Sequence, residues 1–133
     1  MADRFFTPEE VEALIPALTE LVDRLREANE EVEVTRERLE AEHKRLTQVG
    51  GGMLDRGRWR ADKARIDAAT KRAQGALEEI HGVGGVPKDI GQGLVDFPHL
   101  RDGRVVNLCW KHGETSIRYW HGMDEGYGAR KPL

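Results

Sequence analysis

A single cysteine, Cys109, stands in the 133 residues of this chain, so no disulfide forms within it and a reducing compartment is the natural setting. No apolar run approaches the roughly 18 residues needed to cross a bilayer. The opening MADRFFTPEE also lacks the apolar core of a signal peptide. A cytoplasmic location without a membrane partner is therefore expected. Aromatic residues are scarce, at 6%, which argues against an all-β barrel with a large aromatic core. A basic excess is missing too: 21 Lys and Arg stand against 24 Asp and Glu, for a net charge of −3. A nucleic-acid partner needs a clustered basic surface, so that class is disfavoured.

What is present is charge, 34% of the chain, arranged with helical periodicity over its first two thirds. Thr7-Pro8-Glu9-Glu10 reads as a capping box with proline at the first helical position, and Phe6 and Val11 as its hydrophobic staple. Apolar residues then recur at Val11, Leu14, Leu18, Leu21, Leu25, Ala28, Val32, Leu39 and Leu46, on steps of three and four. Ile15 and Val22 widen the stripe near its start, and Thr35 and Glu42 interrupt it later. The wide half is expected to meet a sheet, and the thin half only another helix. Pro16 predicts a kink. Gly50-Gly51-Gly52 marks a turn. A second helix is predicted from about Leu54 or Trp59 to His81, with a seam of Trp59, Ile66, Ala69, Ala73, Ala76 or Leu77, and Ile80. Gly82 is placed near its C-cap.

After Pro87 the period changes to alternation. Leu94–Leu100, Arg104–Trp110 and Thr115–His121 read as three strands, joined by turns at Asp102-Gly103 and His112-Gly113. The fold class is thus α+β: a long antiparallel helical hairpin, coiled-coil-like, with a small three-stranded antiparallel meander packed on its base. A single domain is expected, with residues 7–82 as the hairpin and 83–133 as the meander and C-terminal loop. Two-residue turns set a register in which Asp96 faces Cys109, Cys109 faces Ser116, and Val106 faces Tyr119. One face then carries Val95, Phe97, Val106, Leu108, Trp110, Ile117 and Tyr119 toward the core. The other carries Leu94, Asp96, Asn107, Cys109, Lys111, Glu114, Ser116, Arg118 and Trp120. Pro98 places the first of these strands at an edge.

The polar face supplies the candidate chemistry. Asp96, Cys109, Glu114 and Arg118 are the catalytic candidates, because a thiol beside basic groups and a carboxylate can act as a nucleophile or soft ligand. Its plainer alternative is a solvated sheet face with ordinary cross-strand pairs. Cys109, His121 and Asp124 are the metal-ligand candidates, although the predicted register puts His121 with His99 on or beside the core face. Gly82–Gly93 is rich in glycine around Lys88 and Asp89, but it matches neither a phosphate-binding loop nor a dinucleotide fingerprint. No cofactor-binding residue is assigned, and the segment is expected to be a plain connection. Trp120 is the one strand aromatic expected to face solvent.

The blocks FFTPEEVEALIPAL, VPKDIGQGLVDFP, GRVVNLCWKHGE, IRYWH and GYGARKPL resemble a bacterial family catalogued as domain of unknown function 2203. The resemblance implies a stand-alone bacterial cytosolic protein and brings no activity, cofactor or catalytic residue. Two functions follow from the residues. The first is a non-enzymatic assembly protein, a homo-oligomer or one docking a protein partner through a hairpin too long for the sheet to cover. The second is a metal-binding protein or small enzyme built around Asp96 and Cys109.

Overall fold

The computed structural model describes residues 4–49 and 55–133. Two helices, α1 (Pro8–Val49) and α2 (Arg56–Gly82), precede a five-stranded antiparallel sheet. Its strands are β1 (Val86–Asp89), β2 (Leu94–Arg101), β3 (Arg104–Lys111), β4 (Tyr119–Gly122) and β5 (Lys131–Pro132), each paired with its sequence neighbour. A short 3-10 turn, Tyr127–Ala129, separates the last two. The three predicted strands are thus joined by one more at each end. The presumed plain connection after α2 contains β1, and the tail contains β5. Gly50-Gly51-Gly52, read above as the inter-helix turn, lies outside the described residues.

The start of α1 is built as its sequence directs. Thr7 donates its backbone N–H to Glu10 Oε1 at 3.1 Å, and Glu10 returns its own N–H to Thr7 Oγ1 at 3.1 Å. Phe6 and Val11 are both buried in the core. α2 starts at Arg56 because Asp55 caps it, accepting the Arg58 N–H at 3.0 Å. At its other end the left-handed residue is Gly84, with φ +99°, and not Gly82. Gly84 and Gly85 donate to the carbonyls of His81 and Ile80. A Cβ on Gly84 would stand 2.2 Å from the Phe6 ring, so a side chain is excluded by contact as well as by conformation.

The helices run antiparallel, since ion pairs join Arg24 to Glu79, Glu31 to Arg72, and Arg38 to Asp62. The wide half of α1 (Val11 to Ala28) packs with Ala73, Ala76 and Ile80 of α2 against Val95, Phe97, Leu108 and Trp110 of the sheet. Each of these large side chains contributes about 1.5–3 kcal/mol by burial. Beyond Ala28 none of the described α1 side chains joins this core, and α1 extends about 30 Å further beside α2. There the seam departs from expectation. Trp59 is exposed, and the buried position one turn on belongs to Asp62, held bidentately by Arg38. The Arg38 hydrogen bond holds the Asp62 carboxyl below the usual range.

In the sheet, Asp102 (φ 50°) and Gly103 (φ 76°) form the tight turn between β2 and β3. It sets Asp96 opposite Cys109, Phe97 opposite Leu108, and His99 opposite Val106, as expected. The next pair differs. β4 begins only at Tyr119, and Leu108 faces Trp120 while Asn107 faces His121, a slip of three residues from the expected register. The slip goes with a local bond that closes the turn at the end of β3 and with two tertiary bonds to α1 that hold the loop before β4. Glu114 accepts the Lys111 N–H at 2.7 Å, Glu12 of α1 accepts the Ile117 N–H at 2.9 Å, and Asp23 of α1 holds His112 at 2.8 Å.

An odd slip turns each residue to the opposite face. Trp120 therefore packs against the core, with Arg101 and Lys131 over its ring. Tyr119 leaves the core face and lies under Arg130. Ser116 and Arg118 fall in the loop between β3 and β4, outside the sheet, bonded to each other. Pro98 sits in an interior strand; this is tolerated because β1 reaches only Leu94 to Asp96 along β2.

Candidate metal centre

On the sheet face away from the helices, β2, β3 and β4 each contribute one buried group: Asp96, Cys109 and His121. Asp96 and Cys109 are direct cross-strand partners. His121 faces Asn107, two residues from Cys109 and on the same side of β3. The three ligand atoms lie within 4.8 Å of one another, and the residues are only 1%, 1% and 2% exposed. Around them a cavity of about 100 Å³ is lined further by Lys88, Leu94, Glu125, Gly126 and Tyr127.

The protonation of His121 follows from its neighbours. Nδ1 is 2.8 Å from the Gly122 carbonyl oxygen, which only accepts, so Nδ1 carries the proton. In the neutral imidazole Nε2 then presents a lone pair. Nε2 lies 3.0 Å from Asp96 Oδ2. Even so, neither Asp96 oxygen has a hydrogen-bond partner among the described residues, because the two groups are close but not aligned for an N–H···O bond. A lone pair and an unpartnered carboxylate, both out of water, repel each other unless positive charge comes between them.

Burial pushes the Cys109 thiol up to about 12, the Asp96 charge adds to the rise, and Arg130 opposes it. Without a metal, Cys109 is therefore a neutral thiol at neutral pH and a poor nucleophile. Thiolate, carboxylate and neutral imidazole together carry two negative charges, which a divalent cation cancels. The donor set of S, O and N suits zinc and its neighbours among the transition metals. Ligands of a tetrahedral ion lie ~3.3–3.8 Å apart, so the group needs to contract by only about 1 Å.

A second layer steadies the cluster. Arg130 Nη2 binds both Glu114 oxygens, at 2.9 and 2.8 Å, and donates to the Cys109 carbonyl at 3.3 Å. Its guanidinium stacks over Tyr119 and Tyr127, which joins the 3-10 turn to the sheet. Glu125 Oε1 accepts the Gly122 N–H at 2.7 Å and the Lys131 ammonium at 2.6 Å. These bonds fix the backbone whose carbonyl orients His121.

The structure thus gathers Asp96, Cys109 and His121 and leaves the other candidates outside the cluster. Glu114 is engaged by Arg130, and Arg118 is exposed beside Ser116. Asp124 is exposed in the turn after β4. Glu125 was not singled out from sequence, and Arg130 only as part of the block GYGARKPL. A place in a charged tail does not distinguish a cluster wall from a solvated loop.

None of the described helices is long and apolar enough to cross a membrane. No curated protein and no solved structure matches the chain. The model of the family described as "Uncharacterized conserved protein (DUF2203)" matches residues 4–133, and the chain belongs to that family.

Proposed function

We propose that this protein binds a divalent transition-metal ion through Asp96, Cys109 and His121. The observation that carries this reading is the orientation of His121. Its Nδ1–H is spent on a backbone carbonyl, which leaves the Nε2 lone pair 3.0 Å from a buried carboxylate that has no hydrogen-bond partner among the described residues. Ligating histidines are held in this way, with the second nitrogen donating to a carbonyl or carboxylate.

Three protein ligands leave one position of a tetrahedral ion for an exogenous group, the arrangement of catalytic rather than purely structural zinc sites. The small cavity beside Lys88, Glu125 and Tyr127 would receive that group. Its size suits water or a small anion. A Lewis-acid role on a small substrate is therefore the chemistry the site supports, and the chain's own contribution is to bind, orient and desolvate the ion.

Titration of metal-free protein with cobalt(II) tests the reading. The expected result is one equivalent bound, with a thiolate-to-cobalt charge-transfer band in the near ultraviolet that Cys109→Ser abolishes and His121→Ala weakens. Elemental analysis of the purified protein should show about one transition-metal ion per chain. Absence of both the band and the metal, in protein shown to be folded by circular dichroism, would overturn it. Asp96 and His121 would then be a buried structural ion pair.

A further inference from the structure

The glycine-rich segment Gly82–Gly93 carries a cation that no carboxylate takes up. Val86 faces Asp96 across β1 and β2, so Lys88, two residues on, lies on the same side of the sheet. A bulge between Pro87 and Asp89 leaves Lys88 without a cross-strand partner. Lys88 lines the cavity together with Asp96, Cys109 and His121.

The charges around this cavity are otherwise matched. Glu125, on its wall, holds Lys131 at 2.6 Å, and Glu114 holds Arg130 at 2.8 Å. Asp89, next to Lys88 in sequence, is spent on the backbone N–H and the side-chain amide of Gln92, both at 3.0 Å. Lys111 stands over the Tyr127 ring, 5.1 Å from its centre, and is not on the cavity wall. Among the described residues, Lys88 has no carboxylate within ion-pair distance. A divalent ion with Asp96, the Cys109 thiolate and neutral His121 is neutral in sum. The occupied centre therefore keeps one positive charge on its cavity wall, that of Lys88.

We propose that Lys88 selects a small carboxylate as the ligand that completes the centre, and that short-chain monocarboxylates are the substrate class of this site. The inference rests on the metal reading and adds to it the residue that chooses the fourth ligand. One carboxylate oxygen takes the open position on the ion, and the other accepts from the Lys88 ammonium. A monoanion brings the sum of charges to zero, whereas a dianion leaves excess negative charge in a cavity largely out of water. Leu94, 6% exposed, and the Tyr127 ring give the cavity apolar surface, which suits the carbon end of such a ligand better than a bare inorganic oxyanion. A volume of about 100 Å³ is roughly three times a water's share of the liquid, so the chain is limited to about two or three carbons.

Acetate titrated into cobalt(II)-loaded protein tests this, read from the visible bands of the cobalt ion. The expected result is a saturable shift of those bands. Lys88→Met should weaken acetate binding at least about tenfold and leave cobalt affinity unchanged, because the ammonium touches the anion and not the ion. Sulfate, a dianion, and acetamide, a neutral molecule of similar shape, should each bind at least about tenfold more weakly than acetate. Acetate that leaves the bands unmoved overturns the proposal. So does a Lys88→Met chain that binds acetate as wild type does, or sulfate or acetamide that matches it. In each of these outcomes cobalt is bound, so the metal reading stands. A folded chain that takes up no cobalt overturns the metal reading first, and this inference with it.

Discussion

Glu12, on the second turn of α1, accepts the backbone N–H of Ile117 at 2.9 Å across 105 residues of sequence. The bond supplies the partner that β3 does not give to this amide, and Ile117 itself is buried. Glu12→Leu should therefore leave an orphaned N–H and cost ~1–3 kcal/mol, read from urea denaturation. Glu12→Gln retains an acceptor oxygen and should recover most of that loss. Equal destabilisation by both variants would show that the bond does not hold the loop.

Asp96→Asn separates a metal site from a structural ion pair. If the carboxylate is held for an ion, the metal-free variant should unfold no more easily than wild type, since a buried charge without a proton donor has been removed. Cobalt affinity should fall at least about 100-fold. If Asp96 instead pairs with a protonated His121, the same variant should lose roughly 3–5 kcal/mol. Chemical denaturation in the presence of a chelator distinguishes the two.

Cys109 predicts an alkaline weakness in metal-free protein. Its folded value lies at about 12 against an ordinary 9.0. A raised value means that the neutral thiol contributes its full stability below pH 9.0, and that this contribution is lost as pH rises toward 12. The three-unit window corresponds to about 4 kcal/mol at its upper limit. Cys109→Ala should flatten that part of the stability profile. Metal binding requires the thiolate, so it should release a proton and weaken as pH falls, measurable by calorimetry in buffers of different ionisation enthalpy.

Gly84→Ala should destabilise the junction of helix and sheet. The backbone there has φ +99°, and the new methyl would meet the Phe6 ring. The expected loss is ~2–4 kcal/mol in thermal or urea unfolding. Phe6→Leu in the same chain should return part of it by opening space, whereas Phe6→Leu alone should only cost. If the two losses simply add, the contact is not the cause.

Much of this architecture is written in local signals. Thr7 to Glu10 specify a helix start through atoms three residues apart. Asp102-Gly103 admits only one register for β2 on β3, so the facing of Asp96 and Cys109 follows from two residues. The register of β4 does not. Residues 115–121 alternate equally well in either frame, and the choice is made by Glu12 and Asp23, which are about a hundred residues away. That is why His121 was assigned to the core side and why the third member of the cluster was not seen there. β1 and β5 escape for a different reason: VPKD and KP are too short and too rich in proline to show a period. Asp62 was passed over because a carboxylate in a helical seam makes sense only once Arg38 is seen to reach it.

The alternation of β3 has an optical consequence. Cys109 points to one side of the sheet, and the next residue, Trp110, is fully buried on the other, its indole N–H donating to the Glu114 carbonyl at 3.0 Å. An ion bound as proposed would draw on the very stretch of backbone that seats this indole among the helices. In a chain with Trp59 and Trp120 replaced, emission from Trp110 would then report on the proposed centre across a wall one strand thick, with no added label.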